Sequence, residues 1–122
     1  MDAADVDRWL DGYVSAWRSN DRAEIEALFT EDAHYRFHPW DEPIVGAAAI
    51  ANAWLGDQDD PARWEASYRC HAADGAAAVA VGSSTYLDAN GAVEKVYDNA
   101  YVLRFDGDGR CSEFTEWFMK RP

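Results

Sequence analysis

Two side chains of this 122-residue chain are suited to moving a proton near neutral pH. Glu116 lies in the run Phe114-Thr115-Glu116-Trp117-Phe118, where the two-residue period of a strand puts it on one face with Phe114 and Phe118. If those rings are buried, the carboxyl enters the same apolar interior, and desolvation raises its pKa toward neutrality. His38 closes the segment Ala33 to His38 and carries an imidazole, which titrates in that range without help. The plainer alternatives are a carboxylate paired with a buried donor and a histidine on a surface loop.

Other chemistries lack their residues. His34 and His38 would stand about 13 Å apart on an extended segment, too far to share a metal ion, and His71 has only Cys70 beside it. There is no glycine-rich phosphate loop and no Ser/His/Asp set with a nucleophile elbow. The expectation is therefore chemistry without a metal or cofactor.

The elements that must hold these groups can be read from period and punctuation. The longest alternating stretch runs from Lys95 to Met119, as two strands joined by Asp106-Gly107-Asp108-Gly109. One face of the first carries Tyr97, Asn99, Tyr101, Leu103 and Phe105, and the matching face of the second carries Phe114, Glu116 and Phe118. A face that only packs a core has no use for Asn99 or Glu116, so this mixed face is expected to line a cavity. Trp64 to Ala72 and Ala76 to Leu87 are two further strands, the latter with small residues Gly82-Ser83-Ser84 at its middle and the hairpin turn Asn90-Gly91 after it. Upstream, Val6, Trp9, Leu10, Tyr13, Ala16 and Trp17 form the stripe of a helix from about Asp5 to Ser19. Asp21 with Glu24 suggests a capping box opening a short second helix that turns Ile25, Leu28 and Phe29 inward. Ala33 to His38 is a short strand, and a stiff loop with Pro39, Trp40 and Pro43 follows it. A third helix covers Ala47 to Leu55 and stops at Gly56.

Eleven basic against 23 acidic residues give a net charge of -12, which repels phosphate backbones and anionic lipid, so neither nucleic acid nor a membrane is an expected partner. An acidic start without a signal-peptide pattern, and no apolar run able to span a bilayer, point to a cytoplasmic protein. Cys70 and Cys111 are expected as reduced thiols. One domain with 48% hydrophobic residues is large enough to bury a core.

Three helices followed by a run of antiparallel strands make an α+β plan: a cone-shaped, cystatin-like fold whose helices cover a strongly curved, mostly antiparallel sheet. At Tyr13-Val14-Ser15-Ala16-Trp17, Asn20-Asp21, Ala27-Leu28-Phe29, Asp32-Ala33, Pro43 with Gly46, Arg104-Phe105-Asp106, Gly109-Arg110 and Trp117-Phe118, the chain resembles the SnoaL-like and ketosteroid-isomerase-like branch of the nuclear transport factor 2-like superfamily. The resemblance implies that Tyr13 donates a hydrogen bond to a developing enolate oxygen. Tyr101 stands where the branch has a second donor, an Asp. The branch's catalytic Asp is missing, with Phe37 or, after a one-residue slip, His38 in its place, which leaves His38 and Glu116 as replacements.

The expected pocket has catalytic candidates Tyr13, His38, Tyr101 and Glu116, and ligand-facing candidates Tyr35, Phe37, Trp40, Trp54, Asn99, Phe114 and Phe118. The leading functional expectation is an isomerase, cyclase or dehydratase type of enzyme that uses acid/base catalysis on a hydrophobic carbonyl-containing small molecule. The alternative is a non-catalytic ligand-binding or assembly domain of the same fold. A homodimer through the sheet is expected, because Val79, Val81, Thr85, Leu87, Val96 and Val102 would otherwise expose an apolar patch.

Overall fold

The computed structural model describes residues 1–122. Helix α1 spans Ala3–Ser19 and starts two residues before the periodicity suggests, because Asp2 and Asp5 cap each other's backbone N–H groups. Such a cap is worth about 1 kcal/mol. Its inner stripe is Val6, Trp9, Leu10, Tyr13 and Ala16, and Asn20, in the left-handed region at φ 54°, ends it. Helix α2, Arg22–Ala27, is capped by the Asp21 carboxylate on the N–H groups of Ala23 and Glu24. The expected return half of that box is not made, since the Glu24 carboxylate accepts from the Ser19 hydroxyl instead.

Strand β1 runs from Phe29 to Arg36. It begins earlier than expected because Phe29 belongs to the strand and not to the helix: Phe29 pairs with Cys111, whose N–H donates to Leu28 O at 2.8 Å. It also ends before His38, which falls in the irregular turn that follows. A two-residue strand β2, Ile44–Val45, and helix α3, Ala47–Gly56, come next. Gly46 between them has φ 98°, and a Cβ there would sit 2.8 Å from Glu31 O, so both backbone angle and space require glycine.

After a single 3₁₀ turn, Pro61–Arg63, four long strands complete the chain: β3 Trp64–Asp74, β4 Ala77–Leu87, β5 Val93–Phe105 and β6 Cys111–Lys120. The six strands form one curved sheet in the order β2-β1-β6-β5-β4-β3, with only β1 and β6 parallel. This is the α+β plan expected. Where β3 shifts register between Cys70 and Ala72, the Cys70 N–H donates to the Asp7 carboxylate of α1 at 2.7 Å and ties helix to strand. Cys70 and Cys111 are free thiols. No helix is long and apolar enough to cross a membrane.

Aromatic rings fill the narrow end between helices and sheet. Trp9 meets Phe29 and Phe105 edge-on, with ring centroids 5.9 and 5.5 Å away, and donates its indole N–H to Leu28 O. Phe114 is stacked between Tyr35 at 4.4 Å and Tyr13 at 5.6 Å. Each such pair adds about 0.5–1.5 kcal/mol beyond its buried area.

Candidate functional site

The wide end of the cone is not filled. A cavity of about 360 Å³ opens there, and its wall includes all six tyrosines of the chain. Tyr13 comes from α1, Tyr35 from β1, Tyr68 from β3, Tyr86 from β4, and Tyr97 and Tyr101 from β5. They converge because alternation turns one face of each strand inward and the sheet curls round that face. Gly82 makes room within the wall. It pairs with Tyr68 on one side and Asn99 on the other, and a Cβ at this position would lie 2.0 Å from Ser67 O and 2.6 Å from the Tyr68 ring.

Glu116 also faces the cavity, with its Cα opposite that of Tyr101 across β5 and β6. Its neighbour Trp117 turns to the other face of the sheet and is 43% exposed. The Asn99 amide donates from Nδ2 to Glu116 Oε2 at 3.0 Å, and the Ser84 hydroxyl donates to Asn99 Oδ1 at 3.1 Å. Burial pushes the Glu116 carboxyl up to about 7, against the lowering effects of the Asn99 hydrogen bond and the charge of His38. The carboxyl can therefore both take and return a proton near neutrality.

The surrounding phenols stay protonated. Burial holds Tyr13 and Tyr101 well above the ordinary tyrosine range, and the Glu116 charge adds to the effect on each. Burial likewise raises Tyr35 well above that range, with Glu116 adding and the nearby Trp54 and Tyr13 side chains opposing. Tyr68 is pushed up by burial only to about 12, because the Tyr101 and Ser84 hydroxyls favour its ionised form. These are neutral, buried hydrogen-bond donors.

Eight of the eleven residues named from sequence line the cavity: Tyr13, Tyr35, Phe37, Trp54, Asn99, Tyr101, Glu116 and Phe118. Three do not. Phe114 is 1% exposed and lies in the sealed floor between Tyr35 and Tyr13, so its expected place at the ligand is corrected to the core. Trp40 is 79% exposed and stacks on His38 in the irregular turn after β1, outside the cavity. His38 stands beyond the wall, its Nδ1 2.9 Å from the Asp41 carboxylate and its ring centroid 5.3 Å from that of Phe118. It acts on Glu116 through charge and not through contact with the cavity.

Sequence reasoning passed over Tyr68, Ser84, Tyr86 and Lys95, which also line the wall. Alternation does place Tyr68 on one face with Trp64, but nothing local shows that this face meets Asn99 across Gly82. At the mouth, Lys95 Nζ lies over the rings of Tyr86 and Tyr97, 5.0 and 5.7 Å from their centroids. On another edge of Tyr86, Trp17, 6.4 Å away between centroids, donates its indole N–H to the Asp59 carboxylate at 3.2 Å.

Fold and site together define a small α+β cone with a tyrosine-walled cavity and a buried carboxyl, that of Glu116, facing it. A SnoaL-like domain model matches residues 6–114, and the chain belongs to that family. Among solved structures the fold is similar to that of a LEH-like epoxide hydrolase from M. tuberculosis, with TM-score 0.70 and 19% identity over 96% of this chain and 84% of that one. It is also similar to a ketosteroid isomerase-like protein from Kribbella flavida DSM 17836, with TM-score 0.74 and 21% identity over 100% of this chain and 83% of the other. A third is a protein of unknown function with a cystatin-like fold from Methylobium petroleophilum PM1, with TM-score 0.66 and 21% identity over 100% and 80%. At these identities the likeness concerns fold alone. No curated protein matches the chain at a significant level.

Proposed function

We propose that the protein is a cofactor-independent acid/base enzyme acting on a hydrophobic small molecule that carries a carbonyl group. The observation that carries this reading is Glu116: a carboxyl facing the cavity, bonded to Asn99 and raised by burial to about 7. As a carboxylate it removes a proton from the carbon next to the carbonyl. The C–H electron pair moves into a new C=C bond, and the carbonyl oxygen becomes an enolate oxygen. Tyr13 and Tyr101, neutral and buried, donate to that oxygen as its charge appears. Glu116, now protonated, returns the proton to the same carbon or to a conjugated one, which gives exchange or isomerisation. His38, outside the cavity, favours the carboxylate through its charge.

The test is exchange of α-protons in D₂O for a panel of cyclic ketones and enones, followed by NMR. The Glu116→Gln variant keeps side-chain volume and is expected to slow exchange at least about a hundredfold. Undiminished exchange in that variant removes Glu116 as the base. A wild-type protein that binds panel members without exchanging any proton supports the ligand-binding alternative.

We also infer that two copies associate through the sheet face that the helices leave bare. There Val102 is 47% exposed, Trp117 43% and Met119 75%, and Val79 and Val81 pair alongside on β4. The apolar strip is flanked by the Arg104–Glu113 pair at one end and the Asp98–Arg121 pair at the other. A second copy related by a twofold axis can match acid to base across those ends while covering the strip. Sedimentation at micromolar concentration is expected to show a dimer, and a monomer there removes the inference.

A further inference from the structure

The buried hydrogen bonds behind Glu116 have a direction. Ser84 on β4 is 3% exposed, and its hydroxyl donates to Asn99 Oδ1 on β5, while Asn99 Nδ2 donates to Glu116 Oε2 on β6. An amide is asymmetric, since its oxygen only accepts and its nitrogen only donates. A hydroxyl at the oxygen end therefore leaves the NH₂ end for Glu116, where a donor favours the charged carboxylate. Turned end for end, the amide would present its oxygen to Glu116, which suits only the protonated acid.

We propose that Ser84 is a positioning residue that sets which end of the Asn99 amide meets Glu116 and thereby holds Glu116 as the carboxylate, the form able to accept a proton. This rests on Glu116 as the proton-transferring group. Without the hydroxyl, Asn99 Oδ1 is left buried and unpartnered, and the reversed amide bonded to a protonated Glu116 becomes competitive.

The titratable groups coupled to Glu116 by charge are Tyr13 on α1, Tyr35 on β1, His38 after it, Tyr68 on β3, Tyr86 on β4 and Tyr101 on β5, and Asp57, Asp59, Lys95 and Tyr97 line the same cavity. The five coupled phenols are raised by burial, so they stay neutral between pH 5 and about 9 and do not titrate with Glu116. The charge of His38 does act on Glu116, and it reaches the carboxyl from outside the cavity.

The experiment is a side-chain carboxyl ¹³C NMR titration of the full chain. Ser84→Ala is expected to raise the Glu116 midpoint by about half to one pH unit, as loss of an oriented donor to a charged group requires. Ser84→Thr, which keeps the hydroxyl and suits a strand, is expected to titrate like the wild type. The lower-pH limb of the exchange profile should move with the midpoint. An unchanged midpoint in Ser84→Ala, or a Thr variant displaced as far as the Ala variant, overturns the proposal. A shifted midpoint in a protein that exchanges no substrate proton supports the positioning role and overturns only the catalytic reading.

Discussion

The inward face of the β5–β6 hairpin holds two regions with opposite behaviour. Toward the turn, Leu103, Phe105 and Phe114 are sealed beneath Trp9 and Tyr13 of α1, each at most 4% exposed. Farther along the same strands, Asn99, Glu116 and Phe118 look into open space. The pleat is the same in both, and only the cover differs. Where α1 presses large rings onto the face, the side chains hold the fold together. Where the tyrosines stand back around Gly82, the same face can receive a ligand. The contrast also explains why one carboxyl can be raised to about 7 without unfolding the protein: Glu116 borders a cavity and has Asn99 as donor, and is not packed in the floor.

That contrast can be broken by deleting from each region in turn. Phe114→Ala should have the largest effect, a loss of about 3–5 kcal/mol in stability measured by denaturant unfolding. It removes a ring stacked against both Tyr35 and Tyr13. A loss below about 1 kcal/mol would show that the floor relaxes into the cavity and that the two regions are one.

Glu116→Gln sharpens the comparison through pH. The Glu116 carboxyl is raised from an ordinary 4.5 to about 7, so the folded state keeps a proton that the unfolded chain has already released. Its contribution is fully present below about pH 4.5 and is lost as pH rises through about 7. The Gln variant should match the wild type near pH 4 and exceed it at pH 8, by up to about 3 kcal/mol. Parallel stability curves for the two proteins across this range would show that the carboxyl is not desolvated.

Trp40→Ala is the smallest change. With the indole 79% exposed on the loop, unfolding stability should stay within about 0.5 kcal/mol of the wild type and ligand retention should be unchanged. Weakened retention would bring the loop into the site.

Much of the plan was legible along the chain. The helical stripe around Tyr13, the turns at Asn90-Gly91 and Asp106 to Gly109, and the alternation that puts Glu116 inward and Trp117 outward all come from local periodicity and turn chemistry. Eight cavity residues follow from those patterns and the family resemblance. Local pattern was silent on what covers each inward face, so Phe114 and Glu116, two residues apart, could not be told to be floor and site. It was also silent on register. The line from Ser84 through Asn99 to Glu116 crosses three strands and exists only because β4, β5 and β6 pair as they do. Tyr68 meets the wall only because Gly82 leaves space beside it. Period assigns a side chain to a face, whereas cover, register and burial depend on residues distant in sequence, and these the tertiary structure decided.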